Sequence, residues 1–181
     1  EISSPNGSKI QVEDRYYYPS NEITSAINVQ RAIVVLKASK NDKGFESIYG
    51  IETLNSDTSS LQYFVPNGIF DEITNLSEAQ PYKLYRETLT GLPLCMVRDD
   101  KTGYSVSLAR YKPVIDYKTN SYACVSVHKG LTSGGEKKSS IEVTYPSRDT
   151  SRKYFEVKES NKIVYDLTLM AFKTDNFDDA M

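Results

Sequence analysis

The single histidine, His128, and the cysteine four residues before it, Cys124, are the side chains best suited to nucleophilic or acid–base chemistry. Their spacing argues against a catalytic couple. Residues four apart on a β-strand share a face but lie about 13 Å apart, which is too far for proton transfer. One histidine cannot form a multi-histidine metal site, and no cysteine or carboxylate stands at metal-ligand spacing around it. We therefore expect His128 to be the exposed end of a strand.

Other catalytic patterns are also missing from the sequence. The Gly-rich segment Ser133-Gly-Gly135 lacks the Gly-Lys-Ser signature of a phosphate-binding loop, and no Gly-x-Ser-x-Gly elbow occurs. A pair of carboxylates from distant positions, as glycoside hydrolysis uses, stays open because sequence spacing does not reveal it. The acidic residues Asp175, Asp178 and Asp179 are expected to be solvated rather than calcium-binding. We predict a protein that is not an enzyme and that needs no cofactor or metal.

Length and composition favour one β-rich domain. The chain has 181 residues, 14 Tyr, 6 Phe and no Trp, and tyrosine, together with Val, Ile and Thr, is enriched in strands. The net charge of −2, with both signs mixed along the chain, argues against nucleic acid as a partner. No apolar run approaches the roughly 20 residues that cross a bilayer, so we expect no membrane partner.

Turn signals divide the chain into short antiparallel strands. Tight turns are predicted at Asn41-Asp-Lys-Gly44, Pro66-Asn-Gly68 and Asp99-Asp-Lys-Thr-Gly103. Between Ile141 and Tyr145 apolar and polar residues alternate, as in a half-buried strand. Short strands separated by regular turns are typical of a β-sandwich or a β-barrel.

Two segments break this pattern and predict helices. Ser20–Gln30 has apolar residues at helical spacing after a serine N-cap, and Ser147–Ser160 is polar enough for a surface helix. Lys162–Phe172 fits either periodicity, and its Tyr and Thr favour a strand. Residues 1–19 are predicted to form an extended N-terminal arm and residues 173–181 an acidic tail. The predicted order is helix, a run of antiparallel strands, helix and a last strand.

Parts of the sequence resemble the arthropod salivary lipocalins, particularly the tick histamine-binding group. Ile33-Val-Val-Leu-Lys-Ala-Ser-Lys-Asn-Asp42 is similar to the first strand of that family. Pro113–Tyr145 resembles its late hairpin, and Arg86-Glu-Thr88 with Gly91 resembles one of its turns. The chain departs from the family in lacking the Gly-x-Trp marker and any cysteine after Cys124.

The resemblance implies a single lipocalin-like antiparallel β-barrel that sequesters a small ligand without catalysis. In that family the ligand is a biogenic amine or a fatty-acid-like lipid mediator. The resemblance carries these candidate ligand-binding residues onto this chain: Glu142, Asp116, Tyr145, Glu52 and Tyr122. By strand alternation Glu142 lies opposite Ile141, Val143 and Tyr145, so it faces solvent if those three fill the interior.

The sequence leaves the compartment and the type of partner open. The sequons Asn6-Gly-Ser8 and Asn75-Leu-Ser77, and a start at Glu1 rather than Met, favour a secreted glycoprotein. Cys95 and Cys124 could form a disulfide or remain two buried thiols. The alternative function is an interaction module that binds a protein, such as a host protein, through its outer face or its loops. Long polar loops at Asn55–Ser60 and Gly130–Ser140 and the apolar pair Ile69-Phe70 are the features that favour it.

Overall fold

The computed structural model describes residues 1–18, 25–52, 58–67, 70–74, 76, 82–86, 94–110, 123–130, 139–145 and 155–173. All regular secondary structure in these ranges is β. The strands are β1 (Ile2–Ser3), β2 (Lys9–Tyr17), β3 (Ala26–Lys37), β4 (Gly44–Phe45), β5 (Ser47–Glu52), β6 (Leu61–Asn67), β7 (Phe70–Thr74), β8 (Tyr82–Arg86), β9 (Leu94–Asp99), β10 (Tyr104–Ala109), β11 (Cys124–His128), β12 (Ser140–Tyr145), β13 (Phe155–Glu156) and β14 (Lys162–Lys173).

These strands form two open antiparallel sheets and one small ribbon. The large sheet has eight strands in the order β1-β2-β3-β14-β10-β9-β6-β7, and the small sheet has four in the order β5-β12-β11-β8. Strands β13 and β4 pair separately. The predicted lipocalin barrel is therefore wrong. A barrel needs its first and last strands to pair, whereas here both sheets end in edge strands among the described residues.

The core lies between the two sheets, as in a β-sandwich. Alternate residues of each strand point into it. The large sheet contributes Val29, Ile33, Cys95, Val97, Leu108, Tyr165 and Leu167. The small sheet contributes Tyr49, Val125, Val127, Ile141, Val143 and Tyr145. The period-two pattern seen between Ile141 and Tyr145 thus marks one face of β12 as core.

The two predicted helices are absent from the described residues. Residues 26–30 belong to β3, which is paired on one side with β2 and on the other with β14. Two hydrogen-bonded neighbours outweigh a weak helical propensity. Of the second helix, Phe155–Glu156 is strand β13, whose Phe155 ring packs edge-on against Phe45 at 5.1 Å between centroids; residues 19–24 and 146–154 lie outside the described part. The strand predicted for Lys162–Phe172 is confirmed as β14. Among the described residues, no helix is long and apolar enough to span a membrane.

A largely buried arginine, Arg31, connects the two sheets. Arg31 on β3 donates to both carboxylate oxygens of Asp14 at 2.7 and 2.6 Å, and it also donates to the carbonyl oxygen of Ile48 on β5 at 2.8 Å. Its guanidinium lies 4.7 Å from the ring centroid of Tyr49. Burial by itself lowers the pKa of Arg31, but the hydrogen bonds to Asp14 and the nearby Tyr165 raise it above the ordinary value. Arg31 therefore remains charged.

The N-terminal segment is held by one carboxylate. Asp42 accepts hydrogen bonds from the Ser4 hydroxyl, from Ser8 Oγ at 2.5 Å and from Asn6 Nδ2 at 2.7 Å. These hydrogen bonds, with that of Ser4 the largest cause, lower the pKa of Asp42 to about 2. The residues predicted to form an extended arm thus include β1 and β2 of the large sheet.

The low pKa of Asp42 makes the attachment of this segment pH-dependent. Because the carboxyl has a lower pKa in the folded than in the unfolded protein, its stabilisation is complete above the ordinary value of 3.8 and is lost as pH falls through about 2. We expect Asp42→Asn to lower the thermal unfolding temperature at neutral pH. The difference in thermal unfolding temperature between the variant and the wild type should decrease steadily as the pH falls from about 4 to 2. A temperature difference that does not change with pH would contradict the role of the ionised Asp42 carboxylate. Glu159→Gln, which changes an exposed carboxylate, serves as the control.

Candidate functional site

The small sheet carries a row of polar side chains on the face turned away from the core. We call this the polar face. It consists of Cys124, Ser126 and His128 on β11 and Ser140, Glu142 and Thr144 on β12. These residues alternate with the core residues of the same two strands. All six are nonetheless buried. Burial of polar groups on a face outside the main core is costly unless hydrogen bonds compensate it.

Glu142 and His128 form a close pair at the centre of this face. Glu142 Oε1 accepts a hydrogen bond from Ser140 Oγ at 2.7 Å, and Glu142 Oε2 lies 3.5 Å from His128 Nε2. His128 Nε2 also lies 3.0 Å from Ser126 Oγ. The register of β11 and β12 places Ser126 opposite Glu142 and His128 opposite Ser140, so the pair is a diagonal contact. At this distance, which is longer than an ordinary hydrogen bond, the carboxylate and the imidazole form an ion pair when His128 is protonated.

Thr144 adds a second reason to regard the polar face as a site. Its side chain is 0% exposed, and its Oγ1 has no hydrogen-bond partner among the described residues. A buried hydroxyl left in this state costs about 1–3 kcal/mol. Two strand positions from Glu142, Thr144 offers a donor and an acceptor to a ligand on the same face.

The polar face approaches solvent at edge strand β5. Gly50 is opposite Glu142 in the register, and Glu52 is opposite Ser140. Both β5 residues are exposed, whereas Glu142 is 3% exposed. The buried carboxylate therefore lies one strand away from the surface.

The structure brings together only some of the residues that the lipocalin resemblance assigned to a ligand. Glu142 and Glu52 share the polar face by register. Tyr145 points the other way, into the core, where its ring lies 6.0 Å from that of Tyr165. Asp116 and Tyr122 lie outside the described residues. Ligand binding by these residues stays a prediction.

Sequence reasoning missed the role of His128 in this arrangement. The expectation of an exposed strand end is wrong, because His128 is buried beside Glu142. A usable signal was present: polar residues recur at every second position in both 124–128 and 140–144, which indicates two polar strand faces. That these faces are adjacent follows only from the pairing of β11 with β12. No group of three or more potential metal ligands occurs in the described ranges.

The two cysteines are free thiols in the structure, which agrees with the second of the two alternatives above. Cys95 on β9 belongs to the core between the sheets, and Cys124 lies on the polar face by alternation. The backbone of the small sheet thus separates them. Burial raises the pKa of the Cys95 thiol well above its ordinary value, so this thiol is chemically inert at neutral pH.

The fold places the chain among antiparallel β-sandwiches built from a large and a small sheet. No family model matches the sequence, and no curated protein matches it. Similar solved structures include the Slr1438 protein from Synechocystis sp. PCC 6803, with a TM-score of 0.50 and 9% identity over 92% of this chain and 56% of that one. They also include the "Putative aldose 1-epimerase" from Escherichia coli K12, with a TM-score of 0.54 and 8% identity over 96% of this chain and 64% of that one.

The chain thus spans less than two thirds of either of these two proteins. At such low identities the likeness shows a shared fold alone. Nothing in the likeness points to an arthropod lipocalin.

Proposed function

We propose that this chain is a binding protein without catalytic activity that holds a small hydroxyl-rich ligand, an aldose, on its polar face. The observation that carries the proposal is the buried Glu142–His128 pair beside Thr144, whose hydroxyl has no hydrogen-bond partner in the described part of the chain. The fold likeness to a protein whose name gives an aldose as substrate supports the choice of ligand.

The chemistry of the polar face suits neutral hydroxyl groups. A carboxylate accepts hydrogen bonds from sugar hydroxyls, and threonine and serine hydroxyls both donate and accept. Glu142 and Glu52 place negative charge on this face, which disfavours anionic ligands such as sugar phosphates. Most described side chains of the face are polar, which disfavours a fatty-acid chain. A small amine is the second candidate, because the same carboxylates would pair with an ammonium group.

We propose no catalysis because of the arrangement of Glu142 and His128. Epimerisation at an anomeric carbon needs one group to remove a proton from a hydroxyl and another to protonate the ring oxygen. On the described part of the polar face, His128 is the one imidazole, and its Nε2 is close to both Glu142 and Ser126. Because Glu142 Oε2 and His128 Nε2 are only 3.5 Å apart, no substrate atom fits between them, and we assign the pair to orienting a ligand.

The test is a ligand titration with matched carboxylate variants. We would titrate D-glucose, D-galactose, histamine, glucose 6-phosphate and a medium-chain fatty acid into the protein by calorimetry. We expect binding of an aldose, and we expect Glu142→Gln to weaken it at least about tenfold, a loss of 1.4 kcal/mol. Glu159→Gln, which changes an exposed carboxylate, should bind like the wild type.

Two further measurements sharpen the outcome. Because His128 is the only histidine, its imidazole NMR signals are unique, and they should shift when the aldose is added. Absence of aldose binding, or equal affinity of the Glu142→Gln variant and the wild type, would refute the proposal. Binding of histamine and of no other compound would mean that the ligand is an amine and not an aldose. Accelerated mutarotation of α-D-glucose in polarimetry would overturn the non-catalytic part.

A further inference from the structure

We infer that Gly50 is a positioning residue of the polar face: its missing side chain leaves the space that the Glu142 side chain occupies, and so it holds the carboxylate where a ligand would meet it. This inference rests on the proposed function. Gly50 lies on edge strand β5, is exposed, and stands directly opposite the buried Glu142.

The backbone conformation does not explain a glycine at this position. The positive-φ glycines of the described chain are Gly7, Gly103 and Gly130, and Gly50 is not among them. Glycine weakens a strand because it has no side chain to pack. Inside a strand it often marks a site where a ligand or another group approaches the backbone closely. A steric reason is therefore needed.

The geometry supplies that reason. A Cβ at position 50 would lie 2.9 Å from Glu142 Cγ and 3.5 Å from the carbonyl oxygen of Ile141. Cγ is the middle of the Glu142 side chain, whose carboxylate is held by Ser140 beside His128. It cannot yield without breaking those contacts. The Glu142 side chain thus extends toward β5 in space that only glycine leaves empty.

The test compares Gly50→Ala with Glu142→Gln in titrations of the aldose that the wild type binds. We expect Gly50→Ala to fold, with a β-type circular dichroism spectrum and a cooperative thermal transition. Its affinity should be at least about tenfold lower than that of the wild type. The His128 imidazole signals should also move in the free variant, because displacement of Glu142 changes their surroundings.

The outcomes separate this inference from the proposed function. If the wild type binds no aldose, or Glu142→Gln has no effect, the proposed function fails. If Glu142→Gln loses binding while Gly50→Ala binds like the wild type, the Gly50 inference alone is wrong. If Gly50→Ala does not fold, the double variant Gly50→Ala/Glu142→Ala decides. Its recovery of a cooperative transition supports the steric contact, and its failure to fold overturns the inference.

Discussion

Arg31→Ala is expected to lower the free energy of unfolding by about 3 kcal/mol, the lower end of the range for breaking a buried ion pair. The Arg31 side chain is 14% exposed and donates to Asp14 on the neighbouring strand and to the carbonyl of Ile48 on the small sheet. Its removal leaves the Asp14 carboxylate and a backbone oxygen without their donor and loosens the contact between the sheets. Urea denaturation followed by circular dichroism measures the change.

A matched control, Arg15, lies on β2 next to Asp14. Arg15 forms an ion pair with Glu13 at 2.7 Å, but the two side chains are 70% and 47% exposed. Arg15→Ala should therefore cost less than about 1 kcal/mol, as exposed ion pairs do. Equal losses for the two variants would contradict the role of Arg31 as the tie between the sheets.

Ile141→Ala is expected to cost about 2–5 kcal/mol, because it removes a fully buried side chain and leaves a cavity. Ile141 is 0% exposed and packs between the sheets on the core face of β12. The midpoint of urea denaturation should fall while its slope stays constant, because the same surface is exposed on unfolding.

The same substitution at an exposed site is the control. Ile2 on β1 is 60% exposed, and Ile2→Ala should change the free energy of unfolding by no more than about 0.5 kcal/mol. A loss for Ile141→Ala as small as that for Ile2→Ala would mean that β12 does not form the centre of the sandwich.

Local patterns allowed much of the β structure to be predicted. Alternation located β12, the Tyr and Thr content of Lys162–Phe172 favoured a strand over a helix, and the turn at 99–103 joins β9 to β10 as expected. These features depend on side chains within a few residues of one another. The helix predicted for Ser20–Gln30 was wrong at residues 26–30. A few apolar residues at helical spacing stabilise a helix only weakly, whereas β3 pairs with two strands, β2 and β14.

Local sequence patterns could not predict whether the sheet closes into a barrel. A sandwich and a barrel contain the same strands and turns, and they differ in which strands pair at the ends. Here β14 pairs with β3 and β10, so the end of the described chain is inserted in the middle of the large sheet. Pairings across more than a hundred residues have no signature in the spacing of neighbouring residues. The lipocalin interpretation was wrong for this reason.

For the candidate site, the sequence by itself determined that Glu142 and Tyr145 lie on opposite faces of one strand, because side chains alternate along any β-strand. Only the tertiary structure decided that the Tyr145 face is the core and that the Glu142 face is buried as well. It also brought His128 to Glu142 and Gly50 opposite it, since these contacts depend on the register of three strands. Register is set by packing over the whole sheet, and a single strand does not encode it.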